Sequence, residues 1–211
     1  MEKKYKYLGY ILLVLIPLTF AGFFKTYIGQ FPNFEEKIDS FIHLHALIAT
    51  IWILLIIVQP ILILKRQNPV HRKIGRLSYI VFPFLILSFI PQMIKIITSG
   101  NIRYLFFSLA DSILLIAFYS LAIYNRKSIS KHMRYMILAA IVLLGPTVGR
   151  IGNILLDWSE LGSQNFLYGI IYLILISLII YDKSNNKNYK PYLVGLVCYV
   201  FHQAAFHIVF L

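Results

Sequence analysis

Six histidines, one isolated aspartate and one isolated arginine are the side chains of this chain best suited to chemistry. Imidazoles bind haem iron, copper and zinc, and they carry protons near neutral pH. His43 and His45 are two residues apart, His71 and His132 each precede or closely flank an arginine (Arg72, Arg134), and His202 and His207 are five apart. Asp111 and Arg150 lie within long apolar runs. An ionisable group in such a place usually faces a bundle interior or a wet cavity, because exposure to hydrocarbon is costly.

These residues must be positioned by membrane helices. Hydrophobic residues make up 59% of the 211 and charged residues 13%, with a mean hydropathy of +0.76, which excludes an ordinary soluble core. Seven apolar runs, approximately 7–24, 41–64, 77–98, 104–124, 135–156, 166–181 and 192–211, approach the ~20 residues needed to cross a bilayer. They do not alternate in polarity, so strands are excluded. The expected architecture is all-α: a single polytopic membrane helical bundle over residues 1–211, with seven transmembrane helices. The first run follows a basic N-terminus as a secretory signal would, but it lacks a small-residue cleavage site and is read as retained.

Most of the 20 basic residues fall in alternate gaps: Lys3, Lys4 and Lys6; Lys65 to Arg76; Arg126 to Arg134; Lys183, Lys187 and Lys190. Glu35, Glu36, Asp39, Asp157 and Glu160 occupy the other gaps. The positive-inside rule then places the N-terminus in and the C-terminus out. The net charge of +12 is accounted for by these loops, so nucleic acid is not an expected partner. The expected partners are the lipid bilayer and an unidentified small molecule, and the oligomeric state is open. Cys198, the only cysteine, permits neither an intramolecular disulfide nor a cysteine zinc knuckle.

At ~1.5 Å per residue, the polar residues inside the runs gather in the outer half: His43, His45, Gln92, Asp111, Arg150, Asn153, His202, Gln203 and His207. Gln59 is the chief exception. His45, Trp52 and Gln59 are spaced by seven and share a helical stripe, which points His45 rather than His43 toward the bundle axis. The candidate ligand pocket is His45, Trp52, Gln92, Asp111, Arg150, Asn153 and Gln203, and the candidate metal ligands are His45, His202 and His207. His71, Arg72, His132 and Arg134 are inner-face candidates, with headgroup anchoring as their simpler reading. Asp111 and Arg150 are expected to pair with each other, to hold an anionic group, or both. Gly145, Gly149 and Gly152 beside Pro146 suit close helix packing or room for a ligand.

The elements His43-x-His45, Trp52, Gln59-Pro60, His71-Arg72-x-x-Gly75-Arg76, His132-x-Arg134-x-Met136 and Arg150 together resemble a group of bacterial multi-pass membrane proteins known only as a domain of unknown function. The resemblance implies the multi-span fold, in a bacterial cytoplasmic membrane, and no activity.

Three functions are open on the residues alone. The first is a redox or metal-binding membrane protein carrying haem b or a Cu/Zn ion, with no cofactor as the alternative. The second is a small-molecule transporter or receptor-like binder, and the third a structural or assembly subunit. Whether the protein is an enzyme stays open.

Overall fold

The computed structural model describes residues 5–34 and 38–211. Lys3, Lys4, Glu35 and Glu36, used above to assign sidedness, lie outside the described residues. All regular structure among the described residues is helical. Six helical stretches are long and apolar enough to cross a membrane: Ser40–Leu64, Asn68–Thr98, Ile102–Tyr124, Ile129–Leu155, Glu160–Ser184 and Lys190–Phe210. The first expected span is a shorter apolar segment, Leu8–Phe23, divided into α1 (Leu8–Leu12) and α2 (Leu15–Phe23).

The chain forms two compact units, Met1–Ser108 and Leu109–Leu211. In the first, α3 (Ser40–Leu64) and α4 (Asn68–Leu87) form an antiparallel hairpin across a three-residue turn at 65–67, and α5 (Ile90–Thr98) follows α4. Asp39 caps α3, its carboxylate accepting from the Phe41 N–H, and Pro69 occupies the first turn of α4, where its missing N–H costs no hydrogen bond. His71, Gly75 and Phe82 of α4 meet Gln59 and Trp52 of α3, and their spacing of four and seven keeps one stripe against the partner helix. Trp52, almost fully buried, packs its ring 5.2 Å from that of Phe82.

The second unit holds most of α6 (Leu105–Tyr124), then α7 (Ile129–Val142), α8 (Leu144–Arg150), a π-helical turn at Ile151–Leu155, α9 (Glu160–Ser184) and α10 (Lys190–Phe210). Its core is Phe118, Leu138, Leu167, Ile171, Leu175 and Phe206, each at most 1% exposed. The α9–α10 hairpin is tied at one end by a buried ion pair. Arg134 on α7 donates from Nε to Asp182 Oδ2 at 2.6 Å and from Nη2 to Oδ1 at 2.9 Å. Nη1 donates to the Ser130 carbonyl and hydroxyl at 2.9 and 2.6 Å, and the guanidinium lies 5.9 Å from the Tyr192 ring centre. Both charged side chains are fully buried. The fork of the guanidinium matches both carboxylate oxygens, which is what a buried pair requires to offset desolvation.

Candidate functional site

Within the second unit, α6, α7, α8, α9 and α10 enclose a small cavity lined by Asp111, Val142, Gly145, Gln164, Tyr168, Tyr199 and His202, among others. Its free volume of about 10 Å³ is on the scale of one water molecule.

The polar groups of this cavity are arranged as a chain. Tyr168 Oη lies 2.7 Å from His202 Nδ1, and His202 Nε2 lies 3.3 Å from Asp111 Oδ1. A phenol holds its proton near neutral pH, so Tyr168 donates to Nδ1 and leaves the second ring nitrogen as the one that carries hydrogen toward the carboxylate. Tyr168 Oη is also 3.4 Å from the His202 carbonyl. His202 is 4% exposed at its side chain, whereas Asp111 retains 23%. Tyr199, another wall residue, is 2% exposed and its hydroxyl has no hydrogen-bond partner among the described residues. A buried hydroxyl without a partner costs free energy, so its presence on the cavity wall is a property to be explained.

Local sequence creates the space. A Cβ on Gly145 would stand 2.8 Å from Asp111 Oδ2, so the carboxylate occupies the volume that any other residue at 145 would fill. A Cβ on Gly152 would stand 3.3 Å from the Ser163 Cα and closer still to its hydroxyl. The glycines of α8 and the π-turn thus let α9 approach and bring Gln164 and Tyr168 to the cavity. Tyr172, one turn beyond Tyr168, donates to Gln203 Oε1, and Gln203 Nε2 donates to Asn165 Oδ1 at 3.2 Å. Polar contacts therefore continue from the neighbourhood of His202 to an exposed edge of α9 and α10.

Of the residues singled out from sequence, Asp111 and His202 meet directly. Asn153 lies 3.4 Å from the Ser163 hydroxyl, which donates to its Oδ1. Arg150 is half-buried at the last turn of α8, immediately before the π-turn. His207 carries a buried Nδ1 without a partner and packs against Phe206. His132 Nδ1 lies 2.8 Å from the Ala122 carbonyl, joining α6 and α7, and Arg134 belongs to the Asp182 pair.

In the first unit, His45 Nδ1 lies 2.8 Å from Ser88 Oγ, and its ring packs edge-on to Phe89. His43 turns away from this face: its Nδ1 lies 2.8 Å from Tyr27 Oη and its ring 4.8 Å from that of Phe34. Burial raises the Tyr27 hydroxyl above its ordinary value, keeping it a donor. The seven-residue stripe thus separates the two histidines as expected. Gln92 carries a buried amide nitrogen without a partner. Gln59 reaches across from α3 to the His71–Gly75 turn, where its amide, with the nitrogen turned to His71, is placed to donate to His71 Nδ1 and carbonyl and to accept from the Gly75 N–H. Arg72 is exposed.

Among the described residues no three His, Cys, Asp or Glu side chains converge as a metal-binding group. Asp111 and His202 supply two donors: Tyr168 holds Nδ1 of His202, and Asp111 stands in charge contact with its Nε2 at 3.3 Å, without hydrogen-bond geometry. Three protein ligands are usual for catalytic zinc. Gln164, Tyr168, Tyr199 and Asp182 were missed in the sequence reading. A four-residue polar repeat, Gln164, Tyr168 and Tyr172, was the signal available. No protein-family model, curated protein or solved structure matches the chain.

Proposed function

We propose that the protein is a multi-pass membrane protein that binds a small polar molecule and exchanges a proton with it through Asp111 and His202, as a transporter or receptor-like binder. The single observation that supports this reading is the Tyr168–His202–Asp111 chain on the wall of a cavity within membrane-spanning helices. Intramembrane ionisable groups of this kind commonly serve ion, proton or solute pathways.

The geometry suits proton exchange because two protonation states keep their contacts. With neutral imidazole, Tyr168 donates to Nδ1 and Nε2 stands 3.3 Å from Asp111. With imidazolium, Nδ1 donates to Tyr168 Oη, whose own proton turns toward the His202 carbonyl, and the ring charge faces the carboxylate. A hydroxyl rotation accommodates the added proton, and no helix has to move. The cavity has room for about one water, so a larger solute enters only after the lining side chains part. The unpartnered Tyr199 hydroxyl and the Gln164 amide are the groups that would hold its polar atoms.

Sidedness belongs to the same proposal. The basic turns holding Lys65 and Arg66, Arg126 and Lys127, and Lys187 face the cytoplasm, and Asp157 and Glu160 face outward.

The test is thermal unfolding of the detergent-solubilised protein against a panel of small amines, amino acids and short carboxylates at pH 5.5 and 8. A ligand present at 100 times its dissociation constant adds about 2.7 kcal/mol. The reading expects at least one compound to stabilise the wild type in a pH-dependent way and to lose that effect in Asp111→Asn. Stabilisation that is indifferent to Asp111 and to pH contradicts it.

A further inference from the structure

The His71-Arg72-x-x-Gly75-Arg76 element takes no part in the cavity, and its two halves face different ways. His71 and Gly75 are held against α3 by the Gln59 amide. That contact fixes the rotation of α4 and turns Arg72, Lys73 and Arg76 outward, where all three are exposed. Among the described residues none of the three has an ion pair or hydrogen-bond partner. Asp39, the one described acidic residue of this unit, caps the opposite end of α3. Three cations on one turn of helix, with no anion in contact among the described residues, form a site that attracts one.

The surface beyond them shows what kind of anion fits. Arg72, Arg76, Ile80 and Phe84 recur every four residues and form one ridge along α4, each step about 6 Å long. Ile80 and Phe84 are 59% and 57% exposed, and Leu77 is 45% exposed beside them. A cationic first turn followed by an apolar ridge matches a molecule with an anionic head and a hydrocarbon tail. An acidic protein segment or a free phosphate would satisfy the arginines but make no use of the apolar ridge, which runs on into the membrane-spanning part of the helix. We propose that this face of α4 is a binding site for an anionic phospholipid, whose phosphate is held by Arg72, Lys73 and Arg76 and whose acyl chain lies over Leu77, Ile80 and Phe84.

Each Lys or Arg near a headgroup contributes on the order of a fivefold preference, so two arginines predict an effect of tenfold or more. The experiment is native mass spectrometry of the purified full chain after incubation with equimolar dioleoylphosphatidylglycerol and dioleoylphosphatidylcholine. The expected result is that the wild type retains the glycerol lipid about tenfold over the choline lipid. Arg72→Gln/Arg76→Gln should lose most of that preference, while Lys127→Gln/Lys131→Gln keeps it. Unchanged thermal unfolding of the double variant in neutral detergent would show that its fold is intact. Equal retention of the two lipids by the wild type overturns the proposal, whether or not the variant folds. So does equal retention of the glycerol lipid by the wild type and Arg72→Gln/Arg76→Gln.

Discussion

His202 Nε2 stands 3.3 Å from Asp111 Oδ1, so the carboxylate that the sequence most naturally pairs with Arg150 has a histidine as its counter-group. The exchange changes the chemistry. An aspartate–arginine pair has a fixed charge, because guanidinium does not release its proton in proteins, whereas an aspartate–histidine pair can gain or lose one.

Tyr168 orients that histidine. Tyr168→Phe removes the donor to Nδ1 at nearly constant volume and leaves a buried ring nitrogen unsatisfied. The expected cost is about 1 to 3 kcal/mol, read as a lower midpoint in chemical unfolding in mixed micelles. Tyr172→Phe, which removes a bond at the partly buried edge, should cost less.

Gly145 is expected to be intolerant of a side chain. Gly145→Ala would place a methyl group 2.8 Å from Asp111 Oδ2, so the carboxylate has to turn and its 3.3 Å contact with His202 is expected to lengthen. Gly169→Ala, where nothing lies within 4 Å of the added Cβ, should be neutral or stabilise by up to about 1 kcal/mol through helix propensity. A thermal-unfolding comparison of the two variants separates the packing effect from propensity.

Arg134 and Asp182 form the pair that the apolar pattern concealed. Loss of either partner alone is expected to destabilise by about 3 to 5 kcal/mol, because it strands a buried charge. The double variant Arg134→Met/Asp182→Leu should recover a large part of that loss. A double-mutant cycle on unfolding free energies measures the coupling, and additive losses would remove the pair from the account of stability.

The class of the fold was legible because long apolar runs have few alternatives, and six of the seven expected runs are helices of spanning length. The first, 7–24, corresponds to the shorter apolar segment Leu8–Phe23, which breaks at Leu13 and Val14, and composition does not report a break. The separate directions of His43 and His45 were also legible, since helical geometry alone fixes their angle. Gln164 and Asp182 were not. The sixth run was delimited by apolarity at 166–181, while the helix extends over Glu160–Ser184, so its polar ends, which carry both residues, fell outside the search. The choice of His202 over Arg150 as the partner of Asp111 was unreadable for another reason: it depends on the close approach of helices, which one helix's periodicity does not encode.

The absorption spectrum of purified protein bears on the redox expectation. Because Tyr168 holds Nδ1 of His202 and the Asp111 carboxylate faces Nε2 at 3.3 Å, the expected spectrum has no Soret band, and elemental analysis is expected to find no stoichiometric copper or zinc. A Soret band lost in His202→Gln would replace the relay with an axial ligand.

Infrared difference spectroscopy of reconstituted protein between pH 5 and pH 8 tests the relay most directly, since its probe is the proton itself. The account predicts carboxylate and imidazole bands that change together in the wild type, with both changes lost in Asp111→Asn and altered in Tyr168→Phe. A wild-type difference spectrum that survives unchanged in Asp111→Asn would contradict it.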